Sequence, residues 1–485
     1  MLRFLARFDA GQGVGAGHMS RCLAIASEFE RLGYEIYCQV NDGALHQIPQ
    51  HLRERSSTTA SGELFNFNLL PDNIDVALID HYAIGQEHEH ELRKRCATIV
   101  VLDDLANRTH DCDVLIDSAI GQDPDRYRSK TPDGSLRLIG PAYAPLRSTF
   151  RTGRIRMSEN HHPAEARKAL FISIGAVDSS NATSKIMKAI ANVSDLSRIT
   201  VVLSSQAPHL DTVRCQVQDI ENAELVVDCH DMAQLVTDHD LAIGAPGVSA
   251  LERACLGIPQ VLLTTAPNQI ANYQGLLDQE MAIGLGDMSE LDDQVVGDTV
   301  VSFSSDHGLQ HRLKQNGMRG IDGLGSRRIA ALVHTIPKTR DGRRLSARPI
   351  RQQDGPKLYA WQINPSTRRY FRNPTAPTPQ EHEKFMQSRL TVWRSISEVL
   401  TLDGEPVALV RADPAQPASN TYQVAIVVDP RMRGQSIGKA ALGYLKGLMM
   451  SATLEAYISV DNKPSLSVFR SVGFGKCAHL KLAVI

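Results

Sequence analysis

The sequence lacks the patterns that mark membrane spans, disulfide frameworks and zinc sites. No apolar stretch approaches the ~20 residues that a membrane-spanning helix needs. The eight cysteines are scattered and form no Cys-x-x-Cys pair, so we expect reduced, mostly buried thiols. Residues 2–7 are strand-like, without the successive charged, apolar and small-residue regions of a signal peptide. We therefore expect a cytoplasmic protein that needs no metal and does not bind a membrane.

The sequence also has no marked excess of charge of either sign, because the formal net charge is only -2 over 485 residues. No basic run interleaves with aromatic residues, so nucleic acid is not an expected partner. A hydrophobic content of 42% and a charged content of 22% are ordinary for a globular protein. The length exceeds what one hydrophobic core supports and predicts about three globular units.

Short apolar segments alternate with amphipathic helical segments through the first two predicted domains, 1–155 and 165–335. Two of the apolar runs, residues 75–80 and 98–104, end in Asp, as buried parallel strands often do. The alternation predicts two successive α/β halves, each a doubly wound, Rossmann-like parallel sheet. In such sheets the ligand binds in the crevice outside the carboxyl ends of the strands.

A polar, basic stretch separates these halves from a smaller predicted α+β domain at 348–485. We predict that 336–347 is a linker whose charges are solvated.

Glycines 11, 13, 15 and 17 lie between a predicted strand and a predicted helix, where backbone N–H groups could approach an anion. Gly11-x-Gly13-x-x-Ala16 also fits a loose dinucleotide fingerprint, but no acidic residue is well placed about 20 positions later. His18 stands at the first helical turn, where a neutral imidazole could take a proton from water. The alternative is a histidine that only bonds the loop.

Further polar residues follow the ends of other predicted strands. Asp80, His81 and Tyr82 end one strand, and Asp178 follows another, either near a phosphate or in ordinary turn chemistry. The His-Glu-His-Glu run at 88–91 resembles a metal site, but residues two apart on a helix do not share a face, so we predict a solvated helix.

The segment GAPGVSALE (244–252) offers two interpretations. In one, a diphosphate lies at a helix N-terminus and Glu252 accepts two ribose hydroxyls. In the other, Ser249 and Glu252 form a capping box.

Several motifs in order resemble the UDP-sugar hydrolases of pseudaminic-acid biosynthesis over residues 1–334. They are RFD…GAGHMSRC, LIDHY, VVLDDLANRTHDCDVLID, GPAYAPLR, IGAVDSSN, GAPGVSALERACLGIP and the Asn268-Gln269 pair. The resemblance implies the glycosyltransferase-B fold and loss of UDP from UDP-2,4-diacetamido-2,4,6-trideoxy-β-L-altropyranose. The chain departs from the family at Ala176 and Val177, where a Gly-Gly turn is usual, and at Pro246 and Val248.

The same resemblance assigns roles by position. His18 would be the general base, with Tyr82 and Asn268 beside it at the sugar, and Glu252 would bind the ribose. The remaining residues expected to bind substrate are Gly15, Gly17, Arg21, Asp178, Gly247, Ser249 and Gln269.

The segment VAIVVDPRMRGQSIGKAAL (424–442) resembles the acetyl-CoA loop of the GCN5-related N-acetyltransferases. Successive N–H groups at such a turn can cradle a pyrophosphate. The residues WQINPSTRR (361–369) and His382 resemble the amino-sugar acetyltransferases of the same pathway. The residues expected to bind acetyl-CoA are Val427, Val428, Arg433, Gly434, Gln435, Ser436, Ile437, Gly438, Lys439 and Asn462.

Two departures affect the acetyltransferase domain. Ser436 replaces a glycine of the loop, and Phe469 stands where the family often has a tyrosine that protonates the leaving thiolate.

The sequence therefore predicts a bifunctional enzyme whose small-molecule partners are a UDP-sugar and acetyl-CoA. The C-terminal domain would acetylate a 4-amino sugar nucleotide, and the N-terminal domains would release UDP from the product. The alternative is a UDP-sugar glycosyltransferase of the same fold, with a degenerate, non-catalytic acetyltransferase-like domain.

Overall fold

The computed structural model describes residues 1–11, 17–159, 168–191, 193, 195–371, 373–416, 419–476 and 478–484. The chain divides into two compact units, Met1–Ser326 and Arg327–Ile485. No helix in the described part of the chain is long and apolar enough to cross a membrane.

The first sheet of the N-terminal unit has seven strands, and every pairing in it is parallel. The strands are β1 (Leu2–Phe8), β2 (Tyr34–Asn41), β3 (Ser56–Thr59), β4 (Ile74–Asp80), β5 (Cys96–Leu102), β6 (Val114–Asp117) and β7 (Leu136–Ile139). The accompanying helices are α1 (Gly17–Arg31), α2 (Gln50–Arg53), α3 (Gln86–Arg93) and α4 (Ser148–Glu159). The spatial order is β3-β2-β1-β4-β5-β6-β7.

The second sheet of this unit has six strands, again all parallel. The strands are β8 (Lys168–Ser173), β9 (Leu196–Leu203), β10 (Ala223–Val227), β11 (Leu241–Gly244), β12 (Gln260–Thr264) and β13 (Ile283–Asp287). The helices are α5 (Ala182–Ile190), α6 (Leu210–Gln218), α7 (Met232–Thr237), α8 (Val248–Leu256), α9 (Ile270–Asp278), α10 (Asp293–Ser305) and α11 (His307–Gly320). The order is β10-β9-β8-β11-β12-β13.

In both sheets the strand order reverses at an equivalent place, between β1 and β4 in the first and between β8 and β11 in the second. The loops that follow these strand pairs diverge to opposite faces of the sheet and leave a crevice for a ligand. Two such sheets in succession are the glycosyltransferase-B arrangement, so the predicted pair of Rossmann-like α/β halves is confirmed.

The two halves of the N-terminal unit pack through α4, which follows the first sheet in the chain but lies against α7 and α8 of the second. Arg154 of α4 is buried and donates hydrogen bonds to the carbonyls of Cys255, Met318 and Ile321 at 3.1, 2.5 and 3.0 Å. Its guanidinium thereby satisfies carbonyl groups around the carboxyl ends of α8 and α11.

The C-terminal unit is a single mixed sheet with helices, as the predicted α+β class requires. Its strands are β14 (Ser346–Pro349), β15 (Ile396–Leu402), β16 (Glu405–Pro414), β17 (Thr421–Val428), β18 (Thr453–Ile458) and β19 (Leu480–Val484), paired in chain order. The helices are α12 (Gly325–Thr335), which begins at the boundary between the units, α13 (Gly355–Ile363), α14 (Pro365–Arg368), α15 (Pro379–Thr391), α16 (Ile437–Leu448) and α17 (Lys463–Ser471).

The hairpin of β15 and β16 was not identified from the sequence, although a signal for it exists. Asp403 and Gly404 form its two-residue loop with φ values of 51° and 84°, and Asp-Gly is favoured where both central residues need positive φ.

The division into units falls at the start of α12, whereas the sequence placed the boundary after that helix. The predicted linker is also ordered. The backbones of Lys338 and Arg344 pair in an isolated antiparallel β-bridge. The Arg340 N–H donates to the Gln435 carbonyl at 2.9 Å. The side chains of Lys338, Arg340 and Arg343 are nevertheless exposed, as expected for solvated charges.

A buried ion pair joins α12 to β15 within the C-terminal unit. The Arg328 guanidinium contacts the Glu398 carboxylate at 2.8 Å, and both side chains are almost fully buried. The Tyr444 hydroxyl of α16 donates to the same carboxylate at 2.9 Å. Three elements therefore meet at one buried charge.

We expect Arg328→Ala to destabilise the C-terminal unit by about 3–5 kcal/mol, because Glu398 would become a buried charge without its cation. Both tryptophans, Trp361 and Trp393, lie in this unit, so the denaturant midpoint of tryptophan fluorescence reports its unfolding. The control is Arg343→Ala, which removes a half-exposed ion pair with Asp341 and should cost less than about 1 kcal/mol. Equal midpoints for the two variants would contradict the expectation.

Candidate active site

A buried carboxylate stands at the switch point of the first sheet, at the carboxyl end of β4. Asp80 accepts from Arg21 Nε at 2.5 Å and from Arg21 Nη2 at 2.7 Å. His18 Nδ1 lies 2.8 Å from Asp80 Oδ1. Burial alone would raise the pKa of Asp80, but the Arg21 charge and the His18 hydrogen bond outweigh burial and hold it well below its usual range. Asp80 is therefore ionised at neutral pH.

An ionised Asp80 determines which nitrogen of His18 carries the proton. A carboxylate has no hydrogen to donate, so the His18 Nδ1 must be the donor. The Nε2 of a neutral His18 then holds a free lone pair, and no described residue forms a hydrogen bond to it. His18 is buried at 7% exposure, with its ring edge-on to Tyr82 at a centroid separation of 4.9 Å. This arrangement is suited to taking a proton.

Tyr82 and Asn268 come together from the two halves of the N-terminal unit. Tyr82 follows β4 of the first sheet, and Asn268 follows β12 of the second. Burial together with the nearby Asp104 carboxylate raises the pKa of Tyr82, and the Asn268 side chain lies close enough to the phenol to act in the opposite direction. The phenol therefore stays protonated and can donate to a ligand. All three residues predicted to be catalytic thus lie at one edge of the crevice.

Arg21 was expected to bind substrate, and the structure shows what else its guanidinium does. It pairs with Asp80 as described, and its Nη1 contacts Asp104 Oδ2 at 3.1 Å. Burial would lower the pKa of Arg21, but the Asp80 carboxylate raises it well above its usual value. Arg21 therefore positions two carboxylates, and a direct substrate contact stays a prediction.

A second pair of polar residues, Asp9 and His81, borders the same edge. Asp9 ends the β1 segment, and its Oδ2 lies 3.0 Å from His81 Nε2. Burial opposes ionisation of Asp9, but hydrogen bonds from His81 and Arg7 lower its pKa to about 2. The Ala10 backbone, next to Asp9, is held by Asn41, whose side chain exchanges two hydrogen bonds with it at 2.9 Å each.

Of the glycines predicted to approach the substrate, Gly17 is the exposed first residue of α1, and Gly15 lies outside the described residues. Gly247 is the N-cap of α8, and Ser249 is the second residue of that helix. The capping-box interpretation of Ser249 and Glu252 is therefore wrong, because the helix begins before Ser249 and has no side-chain cap. The start of α8 carries no side-chain cap, and the helix follows β11, one of the two strands at the switch point of the second sheet.

Glu252 lies one turn into α8 and is buried at 8% exposure. Burial raises its pKa to about 7, against the opposing charges of Arg147 and Arg253. Arg147 comes from the GPAYAPLR segment, and its positive charge also acts to lower the pKa of the Cys229 thiol. Its Nε is buried without a hydrogen-bond partner among the described residues. The sequence analysis missed Arg147, although its motif had been singled out.

Asp178 and Gln269 are occupied by their own loops. The Asp178 carboxylate accepts the N–H groups of Ala182 and Thr183 at 3.0 and 2.8 Å, which caps α5. Gln269 Oε1 accepts the Thr265 N–H at 2.9 Å. Turn chemistry, the alternative interpretation of Asp178, therefore matches the structure, and a substrate contact for either residue stays a prediction.

The helix that contains the His-Glu-His-Glu run is not wholly solvated, so that prediction is wrong for Glu89. Glu89 is buried, its Oε1 lies 2.7 Å from His110 Nδ1, and its Oε2 accepts the Asp111 N–H at 2.5 Å. The other His110 nitrogen lies 3.6 Å from Asp103. This cluster braces the segment between β5 and β6. No described group of His, Cys, Asp or Glu residues is arranged to hold a metal ion.

The site in the C-terminal unit lies where β17 and β18 separate. The two strands pair only from Thr421–Gln423 to Thr453–Glu455, so the rest of β17 has no partner on that side. Residues of β15 are fully buried, whereas Val427 and Val428 of the central strand β17 are only half-buried. An open groove therefore flanks the predicted acetyl-CoA residues of β17.

The loop between β17 and α16 is exposed and carries two left-handed residues. Gly434 has φ 81° and Ser436, the N-cap of α16, has φ 62°. The N–H groups of Ile437, Gly438 and Lys439 stand in the first turn, where helical bonding leaves them free. Gln435 is held by Arg340, and the Arg433 guanidinium donates to Ser366 at 2.8 Å and to Thr367.

Three other positions singled out in the acetyltransferase domain have structural contacts. Asn462 caps α17 by accepting the Ser465 N–H at 3.2 Å. Phe469 is buried at 3% exposure, edge-on to Phe474. His382 is also buried and lies 2.8 Å from the Gly355 carbonyl through Nε2.

Residues 344–475 match the family model described as the acetyltransferase (GNAT) domain. The C-terminal unit is a GNAT domain. The match begins at β14 and ends just after α17, so it covers the groove and the loop described above.

Three curated proteins are similar to the chain. An uncharacterized protein of Methanocaldococcus jannaschii is 21% identical over 482 residues, 96% of each chain. The spore coat polysaccharide biosynthesis protein SpsG of Bacillus subtilis is 26% identical over 206 residues, 42% of this chain and 60% of that protein. The UDP-2,4-diacetamido-2,4,6-trideoxy-β-L-altropyranose hydrolase of Campylobacter jejuni is 24% identical over 243 residues, 50% of this chain and 84% of that enzyme. The resemblance found in the motifs is thus confirmed across longer segments.

The buried His110 cluster predicts a pH dependence of stability. Burial would lower the pKa of His110, but the carboxylates of Asp103 and Glu89 outweigh it and raise the pKa. A raised folded-state pKa stabilises the fold fully below the unfolded-state value of about 6.5, and this contribution is lost as pH rises through the folded-state value. The melting-temperature gap between wild type and His110→Gln, followed by circular dichroism, should therefore be wide near about pH 6 and shrink toward about pH 9.

The control for this experiment is His51→Gln, because His51 is mostly exposed and lies 3.8 Å from an exposed Glu30. Its melting temperature should track that of wild type at every pH. A His110→Gln gap that stays constant or widens with increasing pH would contradict the assignment.

Proposed function

We propose that the N-terminal unit hydrolyses a UDP-linked diacetamido-trideoxy sugar to UDP and free sugar, with His18 as the general base. The observation that carries this proposal is the His18–Asp80 pair at the switch point. The similarity to the Campylobacter jejuni hydrolase supports the substrate class. On this proposal the enzyme acts in pseudaminic-acid biosynthesis.

The reaction follows from the tautomer of His18. Its Nε2 accepts a proton from water as the water oxygen bonds to the anomeric carbon. The bond between that carbon and the diphosphate oxygen breaks, and UDP leaves with the bonding electrons. Asp80 stabilises the imidazolium that forms, because it is already ionised and hydrogen-bonded to Nδ1. A positioned base of this kind contributes roughly 10²–10⁴-fold in rate.

Groups from both halves serve the other parts of the substrate. Tyr82 and Asn268 contact the sugar beside His18. The first N–H groups of α8, from Gly247 onward, receive the diphosphate, whose charge the helix N-terminus favours. The cation of Arg147 adds to this electrostatic stabilisation of the leaving group, and Glu252 accepts hydrogen bonds from the ribose.

We expect His18→Ala to lower the rate of UDP release from the UDP-diacetamido-trideoxy-altrose by roughly 10²–10⁴-fold, because the base is lost. UDP release is measured without acceptor or metal, at saturating substrate. His51→Ala is the matched control, since it removes an exposed histidine from the same half of the chain, and should retain wild-type rates. A fully active His18→Ala enzyme would sink the assignment of the base.

Glycosyl transfer by the N-terminal unit, with a non-catalytic C-terminal domain, is the second candidate. The burial of Phe469 favours its second part, since no tyrosine hydroxyl is available there to protonate a leaving thiolate. Release of free sugar in the absence of any acceptor decides against transfer, whereas release only after an acceptor alcohol is added decides for it.

We further propose that the GNAT domain transfers an acetyl group from acetyl-CoA to the 4-amine of the sugar nucleotide that precedes the hydrolase substrate. Acetyl-CoA supplies the activated acyl thioester. The residues of the chain bind it: the groove beside Val427 and Val428 receives the pantetheine arm, and the N–H groups of Ile437, Gly438 and Lys439 receive the pyrophosphate.

Gly438 provides a sharp test of the pyrophosphate position. A Cβ at Gly438 would meet only ordinary contacts, at 3.7–3.9 Å from Val468, Val428 and Ile426. Asp at this first-turn position suits the helix dipole but adds a negative charge to the turn whose N–H groups would hold the pyrophosphate. We expect acetyl-CoA to raise the melting temperature of wild type and of the control Gly438→Ala, and to leave Gly438→Asp unshifted. Tryptophan fluorescence reports the transition.

At an acetyl-CoA concentration 100 times Kd, the stabilisation of wild type should reach about 2.7 kcal/mol. An equal shift for Gly438→Asp would place the pyrophosphate elsewhere, and no shift for wild type would favour the non-catalytic alternative.

A further inference from the structure

The two carboxylates that share Arg21 differ in how far their hydrogen bonds are satisfied. Asp80 Oδ1 has Arg21 Nη2 and His18 as partners, and its Oδ2 has Arg21 Nε and the Cys22 thiol. Asp104 Oδ2 accepts from Arg21 Nη1 at 3.1 Å. Asp104 Oδ1 is buried and has no hydrogen-bond partner among the described residues. Both oxygens of Asp80 therefore have hydrogen-bond partners within the protein, whereas only one oxygen of Asp104 has a partner among the described residues.

A buried carboxylate oxygen without a donor costs free energy, so native structures satisfy such atoms with protein, water or ligand. Arg21 donates to the other Asp104 oxygen through Nη1, and its Nε and Nη2 donate to Asp80. Arg126 also reaches this residue, but its Nη2 donates to the Asp104 backbone carbonyl at 3.2 Å, not to the carboxylate. Asp104 Oδ1 is therefore free to accept a hydrogen bond from a bound ligand.

The location of Asp104 indicates which ligand brings that donor. Asp104 follows β5, the strand next to β4, so the carboxyl ends of these strands place it beside the His18–Asp80 pair. Its carboxylate lies close enough to Tyr82 to act on the phenol electrostatically. A third of the Asp104 side chain is exposed, so the carboxylate lies at the border of the crevice, beside Tyr82.

We propose that Asp104 binds the sugar of the substrate directly, with Oδ1 accepting a hydrogen bond from an acetamido N–H or a ring hydroxyl while Oδ2 stays paired with Arg21. The inference rests on the proposed function and extends it, since neither the motif resemblance nor the three predicted catalytic positions included Asp104. Its chemistry selects for donors and against anionic groups on the sugar.

The test measures binding and not turnover. In a His18→Ala background, which should consume substrate roughly 10²–10⁴-fold more slowly than wild type, calorimetry gives Kd for the UDP-diacetamido-trideoxy-altrose and for UDP alone. We expect Asp104→Ala to weaken binding of the UDP-sugar by roughly 10–100-fold, in the range of a hydrogen bond to a charged group. The affinity for UDP should not change, because UDP lacks the sugar.

Asp104→Asn is the conservative variant, since its amide oxygen can still accept from the sugar while its NH₂ group cannot pair with Arg21. We expect it to lose less UDP-sugar affinity than Asp104→Ala. Asp125→Asn is the matched control, because Asp125 is exposed in the same half of the chain, and should bind both ligands as the parent does.

The two donor types are separated by a UDP-6-deoxyhexose with hydroxyls in place of both acetamido groups. If Asp104→Ala weakens this ligand as well, the donor is a hydroxyl; if only the diacetamido ligand is weakened, the donor is an acetamido N–H. Equal losses for UDP and UDP-sugar would make Asp104 a purely structural residue and overturn the proposal, as would no loss for either.

Failure of the proposed function would be recognised separately. A His18→Ala parent that binds UDP but not the UDP-sugar overturns the proposed substrate before any Asp104 variant is compared. A wild-type enzyme that binds the UDP-sugar without releasing UDP overturns hydrolysis but leaves the Asp104 comparison readable.

Discussion

Asp80 is ionised in a place that would otherwise favour its neutral form, and the chemistry proposed for the N-terminal unit depends on this. The Arg21 guanidinium stabilises the charge against the cost of burial. The charge in turn fixes the protonated nitrogen of His18 and leaves the other nitrogen for a ligand. If Asp80 were neutral, it could donate a proton to His18 Nδ1, and His18 Nε2 would no longer be constrained to be the acceptor. Arg21 therefore acts on the base through the carboxylate between them.

The doubly wound topology explains why these groups meet. The strands β1, β4 and β5 are neighbours in space although other segments separate them in the chain. Asp9, Asp80 and Asp104 follow these strands, so three carboxylates come to one edge of the sheet. Their mutual repulsion is offset by the cations placed among them, Arg21 and Arg7, and by His81. The second sheet contributes Asn268 to the same edge through its contact with Tyr82.

In the C-terminal unit the proposed ligand groove is formed by a gap in the sheet. Its central sheet opens between β17 and β18, which exposes part of a strand that would otherwise be buried. The helix N-terminus beyond this opening suits an anion, as α8 does in the N-terminal unit. The buried Arg328–Glu398 pair fixes α12 to this unit. Both proposed activities therefore use free N–H groups at a helix start to hold a diphosphate, on unrelated folds.

Local pattern was enough to determine the fold class and most of the central strands, because buried parallel strands are apolar runs that alternate with amphipathic helices. The motifs also singled out His18, Tyr82 and Asn268, since each directly follows or precedes a recognisable element, and their catalytic roles stay predictions. The hairpin of β15 and β16 was missed, although Asp403 and Gly404 gave a signal for it. The burial of Glu89 was missed as well, because its partner His110 lies beyond an intervening strand, and no local periodicity reports such a contact.

Only the tertiary structure decided the roles of the charged residues. The sequence predicted that Arg21 binds substrate, and in the fold the Arg21 guanidinium pairs with Asp80 and Asp104. The sequence suggested Ser249 as the N-cap of a helix, and the fold starts α8 two residues earlier, with Gly247 as the N-cap. Asp80 and Asp104 are both aspartates at strand ends, alike in sequence, yet one is saturated with hydrogen bonds and the other is not. The sequence by itself determined which elements form, because that depends on local polarity; which charges pair depends on distances across the sheet, which only folding sets.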